Sequence, residues 1–247
     1  MGRKRPPKEK KQLKERWEIE ELVFDKKTLL TLSRIMKKGI FETLDYVIST
    51  GKEANVYRAT KGGGKFLAVK IYKVETARFF RRDSYIDGDP RFSGIKFDDY
   101  SLSCAFASKE FKNLMIAERA HVSAPKPVFH EKNVVVMSFL GENGLPYPKI
   151  KDAKDIIDEG DFWKIINDIK ALAANGLVHG DLSEFNILVS KDRPYIIDFS
   201  QGVLASHPHA RELLKRDIMN VISFFEKTIK ISVDRDLIIN EILSYIG

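Results

Sequence analysis

Little in this chain lends itself to cross-linking, membrane embedding or caging a metal. Of 247 residues only Cys104 is a cysteine, which excludes an intramolecular disulfide and suits a buried, inert thiol in a reducing, cytoplasmic setting. No apolar run approaches the length of a membrane span, and no basic-then-apolar leader opens the sequence, so no membrane partner is expected. The five histidines lack metal-ligand spacing. There is no internal repeat and no low-complexity segment. Charge imbalance is also scarce, except at one end. Residues 1–16 hold eight basic residues against two acidic ones, six of the seven net positive charges, so the other 231 residues are close to neutral.

What is present is 43% hydrophobic residues, enough for one sizeable domain or two lobes sharing a cleft. Residues 1–16 read as a basic flexible tail. It suits phosphate neutralisation on RNA, or it is a solvated end that aids solubility; both readings stay open. Residues 17–40 read as a helical extension, with Leu22, Leu29, Leu32 and Ile35 on one face and Gly39 as its stop.

Residues 41–140 read as a first lobe. Strand Leu44–Ile48 enters the polar loop Ser49–Asn55, and Val56–Ala59 leads through the hairpin Gly62–Gly64 to Phe66–Tyr72. That last strand carries Lys70 between apolar neighbours, which favours an inward, paired lysine. Gly51-Lys52 is not a Walker loop, because Glu53 stands where Ser or Thr is needed and Tyr46 where the first Gly belongs. Residues 75–100 interleave Arg and aromatic residues with Asp and read as a mobile loop. It either grips a substrate or RNA, or orders only through its own packing. Ala107–Glu118 reads as an amphipathic helix with Phe111, Leu114 and Met115 on one side. It offers Glu110 or Glu118 to Lys70, and Glu110 is preferred because it lies beside the apolar stripe. A second hairpin, Val128–His130 with Val134–Met137, runs into the extended connector Ser138–Gly141, whose backbone suits reading an adenine edge.

The Pro- and Gly-rich run 141–148 marks a boundary, and residues 141–247 read as a second, mainly helical lobe. Its first helix starts near Asp161, buries Phe162, Ile165, Ile166 and Ile169, and ends at Asn175-Gly176. Helices follow from Arg211 and from Leu237 to Tyr245, with His207 and His209 read as caps of the former. Between them lies the string His179-Gly180-Asp181-Leu182-Ser183-Glu184-Phe185-Asn186, then two short strands and Asp198. Three oxygen-bearing side chains thus stand at the ends of two strands. Such a set suits orienting a hydroxyl for attack and holding Mg²⁺ against phosphate oxygens. His179 reads as a core histidine that anchors the loop backbone.

His179-Gly180-Asp181-Leu182…Asn186 resembles the protein-kinase catalytic loop with Gly in place of Arg. Ile197-Asp198-Phe199-Ser200 resembles the metal-binding Asp-Phe-Gly with Ser in place of Gly. Ser49-Thr50-Gly51-Lys52-Glu53-Ala54-Asn55-Val56-Tyr57 replaces the glycine-rich loop. Together these strings resemble the RIO family of atypical serine/threonine protein kinases, in its type-one branch, and point to an archaeal member. About eight residues separate Asp198 from the His207 region and no Ala-Pro-Glu follows, so the activation segment that the missing Arg would serve is absent too.

The resemblance implies an α+β, bilobal protein-kinase-like fold. Its N-lobe is an antiparallel sheet plus helix, and its reduced, mainly helical C-lobe lacks an activation segment and substrate-docking helices. It implies ATP with Mg²⁺ or Mn²⁺. Asp181 would be the catalytic group on the attacking hydroxyl, Asn186 and Asp198 the metal ligands, and Asp198 also a phosphoryl acceptor. Ser49, Thr50, Lys52, Glu53 and Val56 would cover the nucleotide, Lys70 with Glu110 would take the α- and β-phosphates, and Ser138 and Leu140 would bind adenine by backbone. The implied activity is that of a serine/threonine kinase or ATPase in small ribosomal subunit maturation, with precursor rRNA as partner, a protein acceptor and autophosphorylation. The alternatives are an aminoglycoside- or choline-type phosphotransferase, for which fewer than fifty residues after Asp198 are too few, and an RNA-binding scaffold, which has no need of metal ligands.

Overall fold

Strand alternation around Lys70 sets the architecture. In this computed structural model residues 24–75, 88–96 and 98–246 are described; the basic tail, the start of the helical extension and half of the 75–100 loop lie outside them. Five strands form an antiparallel sheet in the order β1-β2-β3-β5-β4: β1 (Thr43–Thr50), β2 (Ala54–Lys61), β3 (Lys65–Tyr72), β4 (Pro127–Glu131) and β5 (Val134–Ser138). Along β3, Leu67, Val69 and Ile71 join one core cluster, while Ala68 and Tyr72 join another that continues into the second lobe. Successive side chains leave a strand on opposite faces, so Lys70 shares the inner face with Ala68 and Tyr72.

The outer face is covered by α1 (Lys26–Lys37), which starts where the Asp25 carboxylate accepts the Lys27 and Thr28 N–H groups at 3.0 and 3.2 Å. Leu32 and Ile35 pack there with Phe41. Each such burial contributes roughly 1.5–3 kcal/mol.

The inner face is covered by α2 (Asp99–Arg119). This helix starts at Asp99, well before the Ala107 that the apolar spacing suggests, because Asp98 caps it by accepting the Ser101 N–H at 2.9 Å. Leu102 and Phe106 are buried on the added turns, and Met115, expected on the apolar side, is 44% exposed. The end of the 75–100 stretch is therefore helix. Ahead of it residues 88–96 dock, with Phe92 buried edge-on against Phe106 at 5.2 Å between ring centroids.

The run expected as a boundary forms a hairpin of β6 (Gly141–Glu142) and β7 (Leu145–Pro146). It is tied to the first lobe, because the Gly144 carbonyl accepts from Tyr46 Oη at 2.8 Å and Arg58 Nη1 at 3.0 Å. Gly144 has φ +78°, left-handed backbone that favours glycine, and a Cβ there would push the Arg58 guanidinium aside.

The second lobe opens with α3 (Glu159–Ala174), held by a capping box between Asp158 and Asp161 and ended at Asn175. Then come β8 (Leu177–Val178), β9 (Ile187–Val189), β10 (Pro194–Ile196) and β11 (Val203–Leu204), pairing β8 with β11 and β9 with β10. Two helices, α4 (Ala210–Ile229) and α5 (Arg235–Leu243), close the chain. His209 occupies the N-cap of α4 but its side chain makes no capping bond. Its N–H instead donates to Nδ1 of the buried His207 at 3.2 Å, so of the two rings it is His207 that meets the helix N-terminus. Between Asp198 and α4 stand only a 3-10 turn (Phe199–Gln201), β11 and a short loop, with no activation segment. Among the described residues no helix is long and apolar enough to cross a membrane.

Candidate active site

The alternation of β3 delivers Lys70 to the cleft between the lobes. Its ammonium donates to Glu110 Oε1 at 2.8 Å and to Asp198 Oδ1 at 2.7 Å. The Lys70 and Glu110 side chains are 7% and 2% exposed, against 42% for Asp198. Glu118, the other carboxylate of α2 considered for Lys70, lies on the exposed face. Tyr72, two residues on from Lys70 and on the same face, donates its hydroxyl to Glu110 Oε2 at 2.5 Å. Both Glu110 oxygens are thereby occupied.

Burial works against the Asp198 charge, but Lys70 overrides it by charge and by hydrogen bond and holds the carboxyl well below the usual range. For Lys70 burial likewise opposes the charge, and Asp198 and Glu110 push its pKa above the ordinary value. Glu53 is pushed up to about 7 by burial and then by the Asp198 carboxylate; its Oε1 accepts from Gln201 Nε2 at 2.7 Å. Three carboxylates crowd one ammonium, which is an environment that favours additional positive charge.

The opposite wall comes from the loop between β8 and β9. Asn186 Nδ2 donates to the Asp181 carbonyl at 2.8 Å and to Asp181 Oδ2 at 3.1 Å. Burial, and then Asp198, raise the Asp181 pKa, which suits a proton acceptor. His179 is buried and pushed down to about 4 by desolvation, so it is neutral at pH 7. Its Nε2–H donates to the Ile197 carbonyl at 3.0 Å and its Nδ1 faces the Asp181 N–H at 3.3 Å, which makes it a backbone anchor. The loop is also held from below. Asp217, fully buried on α4, accepts the Gly180 N–H at 2.7 Å and the Leu182 N–H at 2.9 Å. Burial pushes Asp217 up to about 7.

A cavity of about 250 Å³ continues from Lys70 toward the connector. Ile48, Val56 and Ala68 line it on the first-lobe side, and Leu188 and Ile197 on the other. Ser138 and Leu140 lie at its back. The Ser138 N–H is taken by the Lys126 carbonyl at 2.9 Å, and the Leu140 carbonyl accepts from Tyr147 N–H at 3.1 Å. A second, polar compartment adjoins it, lined by Ser49, Lys52, Glu53, Asp181, Asp198 and Gln201. Thr50, included in the nucleotide-covering set, is not among the residues lining either compartment; it is exposed at the end of β1, where the pairing with β2 is irregular.

An apolar slot beside a lysine–glutamate pair, with Asp and Asn across a polar compartment, is the layout of a kinase cleft. Residues 55–238 match the RIO domain family. The chain belongs to the RIO kinase family. It is 45% identical over 223 residues to the RIO-type serine/threonine-protein kinase Rio1 of Methanocaldococcus jannaschii, covering 87% of this chain and 75% of that one. The human serine/threonine-protein kinase RIO1 is 37% identical over 212 residues, covering 83% of this chain and 37% of the longer relative. Among solved structures, the Rio2 kinase of Chaetomium thermophilum superposes with a TM-score of 0.67 at 24% identity, covering 87% of this chain and 66% of that one, which speaks to the fold. A complex of that kinase described with ADP, Mg²⁺ and phosphoaspartate gives 0.64 at 23% identity, with 87% and 65% covered.

This RIO kinase is thus set among protein kinases rather than aminoglycoside or choline phosphotransferases. Its donor set also fits a magnesium ion. Among the described residues no three His, Cys, Asp or Glu cluster into a cage. The cleft offers instead the Asp198 carboxylate and an Asn186 whose amide nitrogen is engaged with Asp181, which leaves the amide oxygen for a cation. One or two protein oxygens plus phosphates is the way Mg²⁺ is usually held.

Sequence reasoning missed Tyr72, Asp217 and Gln201. Asp217 had a signal: it falls on the buried stripe of α4 with Leu213, Leu214 and Ile218, where an unpaired carboxylate is costly. Tyr72 shared the inward register of Lys70. Gln201 carried no signal that spacing could reveal.

Proposed function

We propose that the chain is an ATP- and Mg²⁺-dependent phosphotransferase that delivers the γ-phosphoryl group to a serine or threonine hydroxyl, to water, or to both in turn. The observation that carries this is Lys70 bridging Glu110 and Asp198, opposite Asp181 and Asn186. Lys70 neutralises phosphate oxygens while Glu110 fixes where its ammonium stands. Asp181, with its raised pKa, accepts the proton of the attacking hydroxyl. Asn186 and Asp198 would hold the metal, whose chemistry is to neutralise charge on the phosphate oxygens; Mn²⁺ is accepted by the same oxygen donors. Ser49, Lys52, Glu53 and Val56 close over the nucleotide, and Ser138 and Leu140 meet adenine through the backbone.

The Rio2 complex described with phosphoaspartate supports a second role for Asp198. Its carboxylate oxygen bonds to the γ-phosphorus, the bond from that phosphorus to the β,γ-bridging oxygen breaks, and ADP leaves. Water or an acceptor hydroxyl then takes the phosphoryl group from the acyl phosphate and restores the carboxylate. The family and the basic stretch of residues 1–16 support a place in small ribosomal subunit maturation, in the cytoplasm, with precursor rRNA as partner.

Radiolabelled ATP with Mg²⁺ tests the activity. Label on the protein or released phosphate is expected, and Asp181→Ala and Asp198→Asn should each reduce it about 100-fold or more. Undiminished turnover in both would overturn the site. Hydroxylamine-labile label assigns phosphoaspartate, and acid-stable label on serine assigns the kinase route. Deleting residues 1–16 should weaken rRNA binding and flatten its salt dependence.

A further inference from the structure

Asp198 stands at φ 64° and ψ 72°, in left-handed space that a non-glycine residue keeps only where its surroundings over-determine it. Lys70 grips its carboxylate from one side. The chain just after it is gripped from the other. Asn113 Nδ2 donates to the Phe199 carbonyl at 2.8 Å and to the Gly202 carbonyl at 3.0 Å. Asn113 is fully buried and lies three residues beyond Glu110, so the helix that brings a carboxylate to Lys70 also brings an amide to the segment carrying Asp198. The approach is tight: a Cβ on Gly202 would meet Asn113 Nδ2 at 2.7 Å.

Asn113 is itself set by the inserted loop. Its Oδ1 accepts from Arg91 Nη1 at 2.6 Å, and Arg91 Nη2 reaches the Gly202 carbonyl at 3.0 Å. The guanidinium is locked onto Asp89, with Nε at 2.8 and 3.0 Å from the two oxygens and Nη2 at 2.6 Å. The Asp89 side chain is 1% exposed, and Lys109 Nζ lies 3.9 Å from it. A planar, bidentate cation of this kind fixes direction as well as distance.

We propose that Arg91 and Asn113 are positioning residues: a clamp, supplied by the inserted loop, that fixes Asp198 relative to the Lys70–Glu110 pair in a chain with no activation segment. The clamp rests on the phosphotransferase reading of the cleft. It gives residues 88–96 a task inside the site, where packing alone would need neither the guanidinium nor the amide.

The test uses full-length protein carrying Asn113→Ala, Gly202→Ala, Arg91→Lys or the charge-balanced pair Asp89→Asn with Arg91→Met. Three quantities are read: the Mg²⁺ concentration at half-maximal ATP turnover, kcat against KM for ATP, and the thermal midpoint. In Asn113→Ala and the charge-balanced pair, the Mg²⁺ requirement should rise about 10-fold or more and kcat fall about 10- to 100-fold, with KM for ATP within about 3-fold. Arg91→Lys, which can reach one of the two partners, should fall between these and wild type. Gly202→Ala removes no polar group, shifts the Mg²⁺ requirement in the same direction, and carries the test should another variant fail to fold. Lower midpoints with an unchanged Mg²⁺ requirement in every folded variant would overturn the clamp. A wild type that neither binds nor turns over MgATP overturns the phosphotransferase reading and the clamp with it.

Discussion

The two walls of the cleft treat their polar groups differently. On the first-lobe wall Lys70 bonds two carboxylates and Glu110 has both oxygens taken, by Lys70 and Tyr72, in near-complete burial. On the other wall Asp181 is partly desolvated yet open to the cleft, and it shares Asn186 across bonds that leave acceptor oxygens on both. The first wall is settled by folding itself, because a buried charge without its partner is expensive. The second has little to do with folding and much to do with whatever enters. Stability and turnover should therefore separate between the walls.

The largest effect that can break this contrast is on Lys70. Lys70→Met strands Glu110 in a buried site and should cost about 3–5 kcal/mol of stability as well as turnover. Asp181→Asn should cut turnover at least as deeply yet change stability by no more than about 0.5 kcal/mol. Denaturant midpoints set beside ATP turnover decide it; equal stability losses would erase the distinction. Tyr72→Phe sharpens it, since it leaves one buried Glu110 oxygen without a donor. A loss of about 1–3 kcal/mol is expected in urea unfolding, with turnover retained in part.

Asp217 places a first-wall habit beneath the second wall. Its folded-state pKa, pushed up to about 7, lies above the ordinary 3.8, so between those values the folded protein holds more protons than the unfolded chain. Its contribution is present in full below about pH 4 and is lost as pH rises to about 7. Asp217→Asn should therefore remove a downward slope of up to about 1.4 kcal/mol per pH unit across that window. Unfolding curves at several pH values measure it, and an unchanged slope would deny the carboxyl its burial. The smallest effect belongs to Thr50: Thr50→Ala should leave KM for ATP within about 2-fold and stability within about 0.5 kcal/mol.

Much of the site was legible because its chemistry needs particular residue types at particular strand ends. Asp181 and Asp198 stand just past the ends of β8 and β10 and Asn186 just before β9, and Lys70 stood out by its apolar neighbours. The choice of Glu110 over Glu118 followed from an apolar stripe of which Leu114 is buried and Met115 is not. Boundaries were read less well. The cap at Asp98 started α2 earlier than its hydrophobic spacing, because capping acts ahead of the periodic stretch. The 75–100 stretch has no period at all, so the docking of Phe92 and Arg91 depends on distant partners, Phe106, Asn113 and Gly202, that no local pattern names. Thr50 was taken with the whole loop string, while the cavity walls include Ser49, Lys52, Glu53 and Val56 of that string.

The backbone at Asp198 also restricts which altered forms of this protein can survive. At φ 64° the replacements that fit without strain are Asn and Gly. Both are one base change from an Asp codon. A single mutation can therefore strip this chain of its central carboxylate while sparing its shape. The product would keep the backbone turn while losing the group that Lys70 grips.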